Sequence, residues 1–251
     1  MQLSISVGVG TVMAMAGAAA TVDAATLSWT PGTPGIAVEA KALRQTVAGV
    51  TVRVRGYVAE DQGSTVRVFG PFPTSRGERG LRVLGIDPRN LGPAGGEGLG
   101  LLAQPIAGIA TAGSDLGPGV VAPGFNNKFY LSGDRTARKI DFAVFEFSRP
   151  VTVNGVTVDQ VSNADRDAWL AAGSTAPIFA KGLANALGAF RVKNSPDVQG
   201  GAFFTHRLRA RNVRYLMVGA RPNGFAIGPV TGDHPSLGGD AFFIQSVVFT
   251  P

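Results

Sequence analysis

The sequence lacks cysteine, and it has only two histidines and five glutamates among 251 residues. The lack of cysteine excludes disulfide bonds, thiolate metal centres and cysteine nucleophiles. Two histidines leave little room for histidine-based catalysis or for a zinc site. Charged residues amount to only 16% of the chain and apolar residues to 45%, a balance that excludes an intrinsically disordered chain. These features favour a globular protein with a large apolar core.

Strand-forming residues and turn residues are abundant. Valine occurs 28 times and phenylalanine 15 times, while 35 glycines and 16 prolines interrupt the apolar segments. β-branched and aromatic residues favour strands, and glycine and proline favour turns. No segment of ten or more residues has the apolar spacing of an amphipathic helix. We therefore predict an all-β fold, an antiparallel β-sandwich of jelly-roll type with at least eight short strands.

Two alternating segments predict a hairpin in the first quarter of the chain. Valines alternate with polar residues over positions 50–58, and the pattern returns at 65–69 after a polar loop at 60–64. Such segments around a loop with glycine are typical of a β-hairpin. Because side chains alternate between the two faces of a strand, we expect the valines to face the core. The side chains expected to face outward are Arg53, Arg55, Tyr57 and Arg67.

The strongest strand patterns lie in the second half of the chain. Residues 141–148 alternate up to Pro150, where we expect a strand to end, and residues 213–219 and 241–249 are further apolar strands. The dipeptide Asn154-Gly155 fits either a two-residue turn or a bulge inside one strand. Eight side chains from these segments form the predicted core: Phe145, Phe147, Val156, Val158, Leu216, Val218, Phe242 and Ile244.

Other segments give weaker patterns. Residues 86–127 are rich in glycine and almost free of periodicity, so this segment either hides short strands at 99–102 and 106–109 or forms a long mobile loop excursion. Residues 176–180 fit a further strand, and residues 181–190 fit one or two helical turns.

The first residues have the pattern of an export signal. Residues 3–22 form an uncharged apolar run that ends in small residues, and Lys41 is the first basic residue. We expect a signal peptide at residues 1–24, cleaved before a single domain at 25–251, with an uncleaved membrane anchor as the competing interpretation. No later run is long and apolar enough to span a membrane. Cleavage after Ala24 removes Asp23 and no cation, so the net charge rises from +6 to +7.

Two blocks in the second half carry a resemblance to a known family. The run from Phe145 to Val153 followed by Asp165 and Asp167, and the runs 214–219 and 239–247, resemble exported bacterial proteins of the PEP-CTERM kind. That resemblance implies secretion to the cell surface, in a family whose members mostly have no known activity. The chain ends at Pro251 with no Pro-Glu-Pro motif, apolar span or basic end, so we do not expect sorting by that route. The closing run is also similar to the last strand of jelly-roll carbohydrate-binding modules, in which an aspartate before that strand often holds calcium.

One acidic loop suggests a structural calcium site. Asn163, Asp165 and Asp167 place oxygen ligands at alternate positions, and Asp240 could join them beside the last strand. Calcium takes six to eight oxygen ligands from such flexible loops. The loop is not an EF-hand, because Ala168 and Ser174 occupy the positions that require glycine and glutamate. The alternative is a polar turn that caps a strand.

Basic residues point to an anionic partner. Eighteen of the 23 cations are arginine, which binds planar oxyanions well. The strand pattern at 206–211 places Arg207, Arg209 and Arg211 on one face, and together with Arg53, Arg55 and Arg67 they could form a basic sheet surface with Tyr57 as a stacking platform. The alternative is a solvated face that protects a strand edge from aggregation.

Catalytic motifs are weak. Asp233, His234 and Ser236 are neighbours in sequence only, His206 stands apart, and no nucleophile-elbow motif occurs. We therefore expect an exported, non-catalytic surface or matrix protein that binds acidic polysaccharide or an anionic cell surface. Two alternatives are a subunit that self-assembles outside the cell and, less favoured, a glycan-active enzyme. Export also argues against a nucleic-acid partner and, after signal cleavage, against a membrane-bound form.

Overall fold

Thirteen strands and one short helix make up the described part of the chain. The computed structural model describes residues 23–29, 33–61, 66–71, 80–85, 97–102, 131–134, 139–160, 167–195, 203–222, 226–232 and 241–251. The elements in order are β1 (Ala25–Ser28), β2 (Ala37–Glu39), β3 (Ala42–Val47), β4 (Val50–Asp61), β5 (Val66–Phe69), β6 (Gly80–Gly85), β7 (Glu97–Leu102), β8 (Leu131–Asp134), β9 (Lys139–Gln160), β10 (Ala168–Gly173), a 3-10 turn (Phe179–Lys181), α1 (Leu183–Leu187), β11 (Arg191–Asn194), β12 (Phe203–Ala220) and β13 (Ala241–Thr250). Every strand pairing is antiparallel, which confirms the all-β prediction.

Local sequence explains the tight connection between β3 and β4. Val47 pairs with Val50, so Ala48 and Gly49 form a two-residue turn, and both have positive φ, at 49° and 71°. Positive φ at both central residues defines the hairpin turn whose twist matches that of the strands. The turn sets the register in which Val52 and Val54 enter the core.

β9 is the central strand. Its first half pairs with β4 up to Phe147, and its second half pairs with β13 from Thr152 onward. β12 pairs with both halves of β9 on the other side, with irregular register in between. The predicted strand end at Pro150 is wrong. Pro150 lies inside β9 at the irregular point where the strand changes partner, and there no regular ladder requires the N–H that proline lacks.

The Asn154-Gly155 dipeptide is a bulge inside β9. The pairing with β13 shifts by one residue at this point, since Gly155 faces Val248 and Val153 faces Phe249. A Cβ at Gly155 would lie 3.1 Å from the carbonyl oxygen of His206, so the neighbouring backbone approaches closely here. Of the two interpretations of the dipeptide, the bulge is confirmed.

The main core is gathered from both halves of β9 and their partners. All eight predicted core side chains are buried in one cluster. Trp29, which follows β1, packs against Phe145 at 6.2 Å between ring centroids, and Phe147 packs against Phe249 at 5.6 Å. β1 pairs with β13 alone, whereas Phe145 lies in the half of β9 that pairs with β4. The contact between Trp29 and Phe145 therefore packs the part of the sheet around β13 against the part around β4.

The opposite face of the central strands carries a second core. Tyr57 stacks on Phe142 with ring centroids 5.5 Å apart, and Phe142 packs against Trp169 at 5.6 Å. Gly219 leaves room for this indole, because a Cβ there would lie 2.6 Å from it. The second core comprises Ala59, Ile140, Phe142, Val144, Trp169, Ala171, Leu183, Leu187, Met217, Ile227 and Val230. The 3-10 turn and α1 cover this face; residues 176–180 do not form the strand that we predicted, whereas the helical turns at 181–190 are confirmed.

The 3-10 turn, α1 and the segment 226–232 form a covering layer over the second core. Hydrogen bonds from Arg221, which we name the polar clasp, hold one end of this layer. Arg221 Nη1 donates to Asp167 Oδ2 at 3.0 Å, and Nη2 donates to the Gly232 carbonyl at 2.6 Å. Arg221 also donates to the carbonyls of Ser195 and Thr231. The start of β10, the end of β12 and the covering segment at 226–232 are therefore held by one guanidinium group.

Two further predictions concern regions that the structure covers only in part. Within 86–127, β7 confirms the short strand that we predicted at 99–102. The strand predicted at 106–109 lies outside the described residues. The proposed signal peptide also lies outside them, except for its last two residues. Among the described residues, no helix is long and apolar enough to cross a membrane.

Candidate functional site

The arginines of the β3–β4 hairpin lie on an ion-paired surface. Arg44 and Arg53 are direct cross-strand neighbours, and both contact Glu39, at 3.3 and 3.4 Å. Arg55 Nη1 donates to Glu146 Oε2 at 2.6 Å. We name these five residues the ion-paired face. Each arginine on it has a carboxylate partner, so the face is far less basic than the sequence pattern indicated.

Tyr57 does not serve as a stacking platform. Its ring packs between Phe142, at 5.5 Å, and Phe179, at 5.1 Å, so its aromatic surface belongs to the second core. Burial raises the pKa of the Tyr57 hydroxyl, an effect that Arg55 opposes and Glu146 reinforces. The expectation of a stacking role was wrong because the covering layer occupies this face of β4.

Arg67 lies on the opposite face of the sheet from Arg53 and Arg55. It pairs directly with Glu60, and directly opposed residues share a face. Side chains alternate between the two faces of β4. Glu60 is on the face that points to the main core, and Arg53 and Arg55 are on the opposite face. The β5 valines at 66 and 68 accordingly pack on the second core. The expected cluster of Arg53, Arg55 and Arg67 is therefore incorrect, because the register between β4 and β5 places Arg67 on the opposite face of the sheet from the other two arginines.

The arginines of β12 are exposed together on one side of the strand. Over residues 206–211 buried and exposed side chains alternate, and Leu208 and Ala210 belong to the main core. Arg207, Arg209 and Arg211, which we name the basic edge, are all exposed. β10 pairs with β12 only over 215–220, so among the described strands residues 203–213 have β9 as their single neighbour. No carboxylate of the described residues forms an ion pair with the basic edge.

Two bulges shape this edge. The pairing with β9 gains one β12 residue between Arg207 and Ala210 and another between Ala210 and Val213. Arg209 and Asn212 have positive φ, at 53° and 57°. Asparagine tolerates that conformation well, whereas arginine does so at an energetic cost. The backbone at Arg209 is thus held in an unfavourable conformation by its surroundings.

A second basic strand lies beside this edge. Arg191 and Lys193 of β11 are exposed, and Lys193 Nζ donates to the backbone carbonyl of Arg207. Our sequence reasoning missed both residues. The alternation of basic residues with polar or apolar ones in Arg191-Val192-Lys193-Asn194 was a usable signal, but its proximity to Arg207 depends on tertiary contacts that the pattern does not contain.

The residues proposed for calcium are mostly outside the described chain. Asn163, Asp165 and Asp240 lie there, and Asp167 is fully buried in the polar clasp with Arg221. The Asp167 carboxylate therefore already has a structural cation. The calcium site stays a prediction. His206 is buried beside Phe204, with ring centroids 4.7 Å apart, while His234 and Ser236 lie outside the described residues.

No family model, curated protein or solved structure matches the chain. We therefore infer its function from a surface whose cations form no ion pair with a described carboxylate, the basic edge.

Proposed function

We propose that the chain is an exported, non-catalytic surface or matrix protein that binds acidic polysaccharide through the basic edge. The observation that carries this proposal is a contrast between two sets of arginines. Those of the ion-paired face have carboxylate partners, whereas Arg207, Arg209 and Arg211 have none among the described residues. Repulsion between like charges on neighbouring positions disfavours the folded state unless an anion offsets it.

Export supports the choice of a polysaccharide as the partner. The apolar run at 3–22 followed by small residues has the pattern of a signal peptide, and the blocks around Phe145 and Gly239 resemble exported surface proteins. Outside the cell, acidic glycans are a ready source of polyanions. Guanidinium groups bind carboxylates and sulfates through paired hydrogen bonds, which suits a strand with three exposed arginines.

We further propose that the sheet folds over on itself as a β-sandwich of jelly-roll type. The contact between Trp29 and Phe145 supports this architecture, because β1 reaches β9 across the core and not through a shared ladder. In such an arrangement residues 203–213 of β12 form an edge of one layer.

The basic edge weighs against the alternative of a self-assembling subunit. Cations and bulges on an edge strand hinder its pairing with a strand from another molecule. Arg209 and Asn212 supply two such bulges, and the three arginines supply the charge. A glycan lying across the side chains needs no backbone ladder and is compatible with both features.

Retention on immobilised alginate tests the proposal. The wild-type protein should be retained at low salt and released as salt rises, since screening weakens exposed charge pairs. The triple variant Arg207→Gln, Arg209→Gln, Arg211→Gln should lose retention. The matched control Arg44→Gln, Arg53→Gln, Arg67→Gln removes the same charge elsewhere and should be retained. Failure of the wild-type protein to bind, or equal losses in both variants, would contradict the proposal.

A further inference from the structure

We propose that Arg191 and Lys193 complete the binding site. Together with the basic edge they form a two-strand basic rim that binds one chain of a uronate-bearing polysaccharide. The rim consists of Arg191 and Lys193 on β11 and the three arginines of the basic edge on β12. This inference rests on the proposed function and extends it from one strand to two. It also commits to carboxylated rather than sulfated glycan.

The contact between Lys193 and Arg207 joins the two strands. β12 pairs with β10 only over 215–220, and its residues 203–213 pair with β9 alone among the described strands. Lys193 spans the gap by donating to the Arg207 carbonyl on the free side of β12. The bridge brings the Lys193 ammonium group to the β12 backbone at Arg207, although 14 residues separate the two in sequence.

The β11 cations emerge from the inner side of their strand. Arg191 pairs with Ala172 and Lys193 pairs with Leu170, and both partners belong to the main core. Directly opposed residues share a face, so the side chains of Arg191 and Lys193 leave the backbone on the side of the strand that faces the core. Both side chains nevertheless reach solvent. Long basic side chains do this by laying their methylene groups on apolar surface and placing the charge in water. Their charges therefore reach solvent at the margin of the sheet, where Lys193 contacts the part of β12 that carries the basic edge.

The rim carries five cations, and no described carboxylate forms an ion pair with any of them. A single small anion can offset only part of this charge, whereas a polyanionic chain offsets charge along its whole length. Four of the five cations are arginine, whose planar donor pair matches a planar carboxylate. Carboxylate oxygens are also more basic than the oxygens of a sulfate ester and accept hydrogen bonds more strongly, which favours a uronate.

The backbone at Arg209 gives independent support. A residue with φ of 53° is favoured as glycine or asparagine, yet arginine stands there between two other arginines. Unfavourable backbone conformations persist where the surroundings or the function require them. With this bulge, the side chains of Arg207, Arg209 and Arg211 all stay exposed. Leu208 and Ala210, which lie between them in sequence, remain buried.

Binding measurements on β11 variants test the rim separately from the basic edge. Arg191→Gln with Lys193→Gln should weaken alginate affinity about tenfold or more, a loss that corresponds to about 1.4 kcal/mol. The control Arg44→Gln with Arg53→Gln removes equal charge and should bind like the wild type. If the β11 variant binds like the wild type while the basic-edge variant does not, the rim is wrong and the proposed function stands. If the wild type does not bind alginate at all, both fail.

A labelling experiment avoids variants that could disturb the strand contact. In the wild-type protein, bound alginate should slow acetylation of Lys193 by an amine-reactive ester, whereas the exposed Lys41 and Lys181 should react at unchanged rates. Mass spectrometry of proteolytic fragments reads each lysine separately. Equal labelling of Lys193 with and without alginate would overturn the rim. Dextran sulfate of matched charge should protect Lys193 less than alginate, and equal or stronger protection would overturn the commitment to a uronate.

Discussion

Arg55 and Glu146 form the closest ion pair between described residues of the hairpin and the central strand, with 2.6 Å between Nη1 and Oε2. The two side chains keep 29% and 27% of their surface exposed, so water screens the pair only in part. The pair ties β4 to β9 on the face opposite the main core. Glu146 thereby neutralises an arginine that the sequence pattern had assigned to a binding surface.

Replacement of Glu146 by Gln should lower the free energy of unfolding by about 1 kcal/mol, because this partly buried pair contributes more than a surface pair and less than a fully buried one. Glu39→Gln removes the acid of the more exposed pairs and should cost about 0.5 kcal/mol or less. Urea denaturation of both variants measures the difference. A larger loss for Glu39→Gln than for Glu146→Gln would contradict this ranking.

The polar clasp should contribute much more. Arg221→Gln leaves the fully buried Asp167 carboxylate without its cation, and removal of one partner of a buried pair costs about 3–5 kcal/mol. The exposed Arg211→Gln serves as a control and should change stability by about 0.5 kcal/mol or less. Adding Asp167→Asn to Arg221→Gln should recover part of the loss, as denaturation midpoints would show. A loss under about 1 kcal/mol for Arg221→Gln would mean that water or a neighbouring donor replaces the guanidinium.

Phe145 should be among the costliest core side chains to truncate. It is fully buried and packs against Trp29 on the far side of the core. Phe145→Ala should lower the free energy of unfolding by about 3–5 kcal/mol, since the lost transfer energy and the cavity add. Phe203, which is 57% exposed, is the matched control, and its replacement by Ala should cost about 0.5 kcal/mol or less. Similar losses in both variants would contradict the assigned faces.

Alternation alone identified the main core but not the second one. Phe145 and Phe147 alternate with polar or small residues, whereas the segment from Ile140 to Val144 places apolar residues on both faces of β9. A strand buried on both faces loses its period of two, and the sequence then cannot tell which layer covers it. Tyr57 was assigned to solvent for this reason.

The candidate site depended on longer-range relations that a sequence pattern does not contain. Whether Arg67 joins Arg53 depends on hairpin register, and a shift of one residue reverses the face. The partners of the hairpin arginines come from β2 and β9, and Glu146 is 91 residues from Arg55. The pattern at 206–211 correctly predicted three exposed arginines on one side, but the contact of Lys193 with Arg207 is a tertiary relation that the pattern does not contain.

The raised pKa of Tyr57 predicts a loss of stability at alkaline pH. Burial favours the neutral hydroxyl in the folded state, so the pKa there lies above the ordinary value of 10.0. Above pH 10 the unfolded chain releases this proton while the folded chain retains it, and stability therefore falls as pH rises. Urea denaturation across pH 8–11 should show a shallower decline for Tyr57→Phe than for the wild type, after subtraction of their difference at pH 8. Parallel profiles would contradict the raised pKa.

Arg209 should show opposite effects on stability and on binding. Its positive φ costs about 1–2 kcal/mol in a residue other than glycine, and asparagine relieves part of that cost, as Asn212 already does in the same strand. Arg209→Asn should therefore leave the free energy of unfolding unchanged or raise it by up to about 1 kcal/mol, while alginate affinity falls. Arg211→Asn makes the same chemical change in the same strand at a position without positive φ, and it should weaken binding with no gain in stability. A protein that keeps arginine at 209 against its backbone preference does so for the side chain, so a destabilised Arg209→Asn variant that still binds alginate normally would show that Arg209 serves the fold and not the ligand.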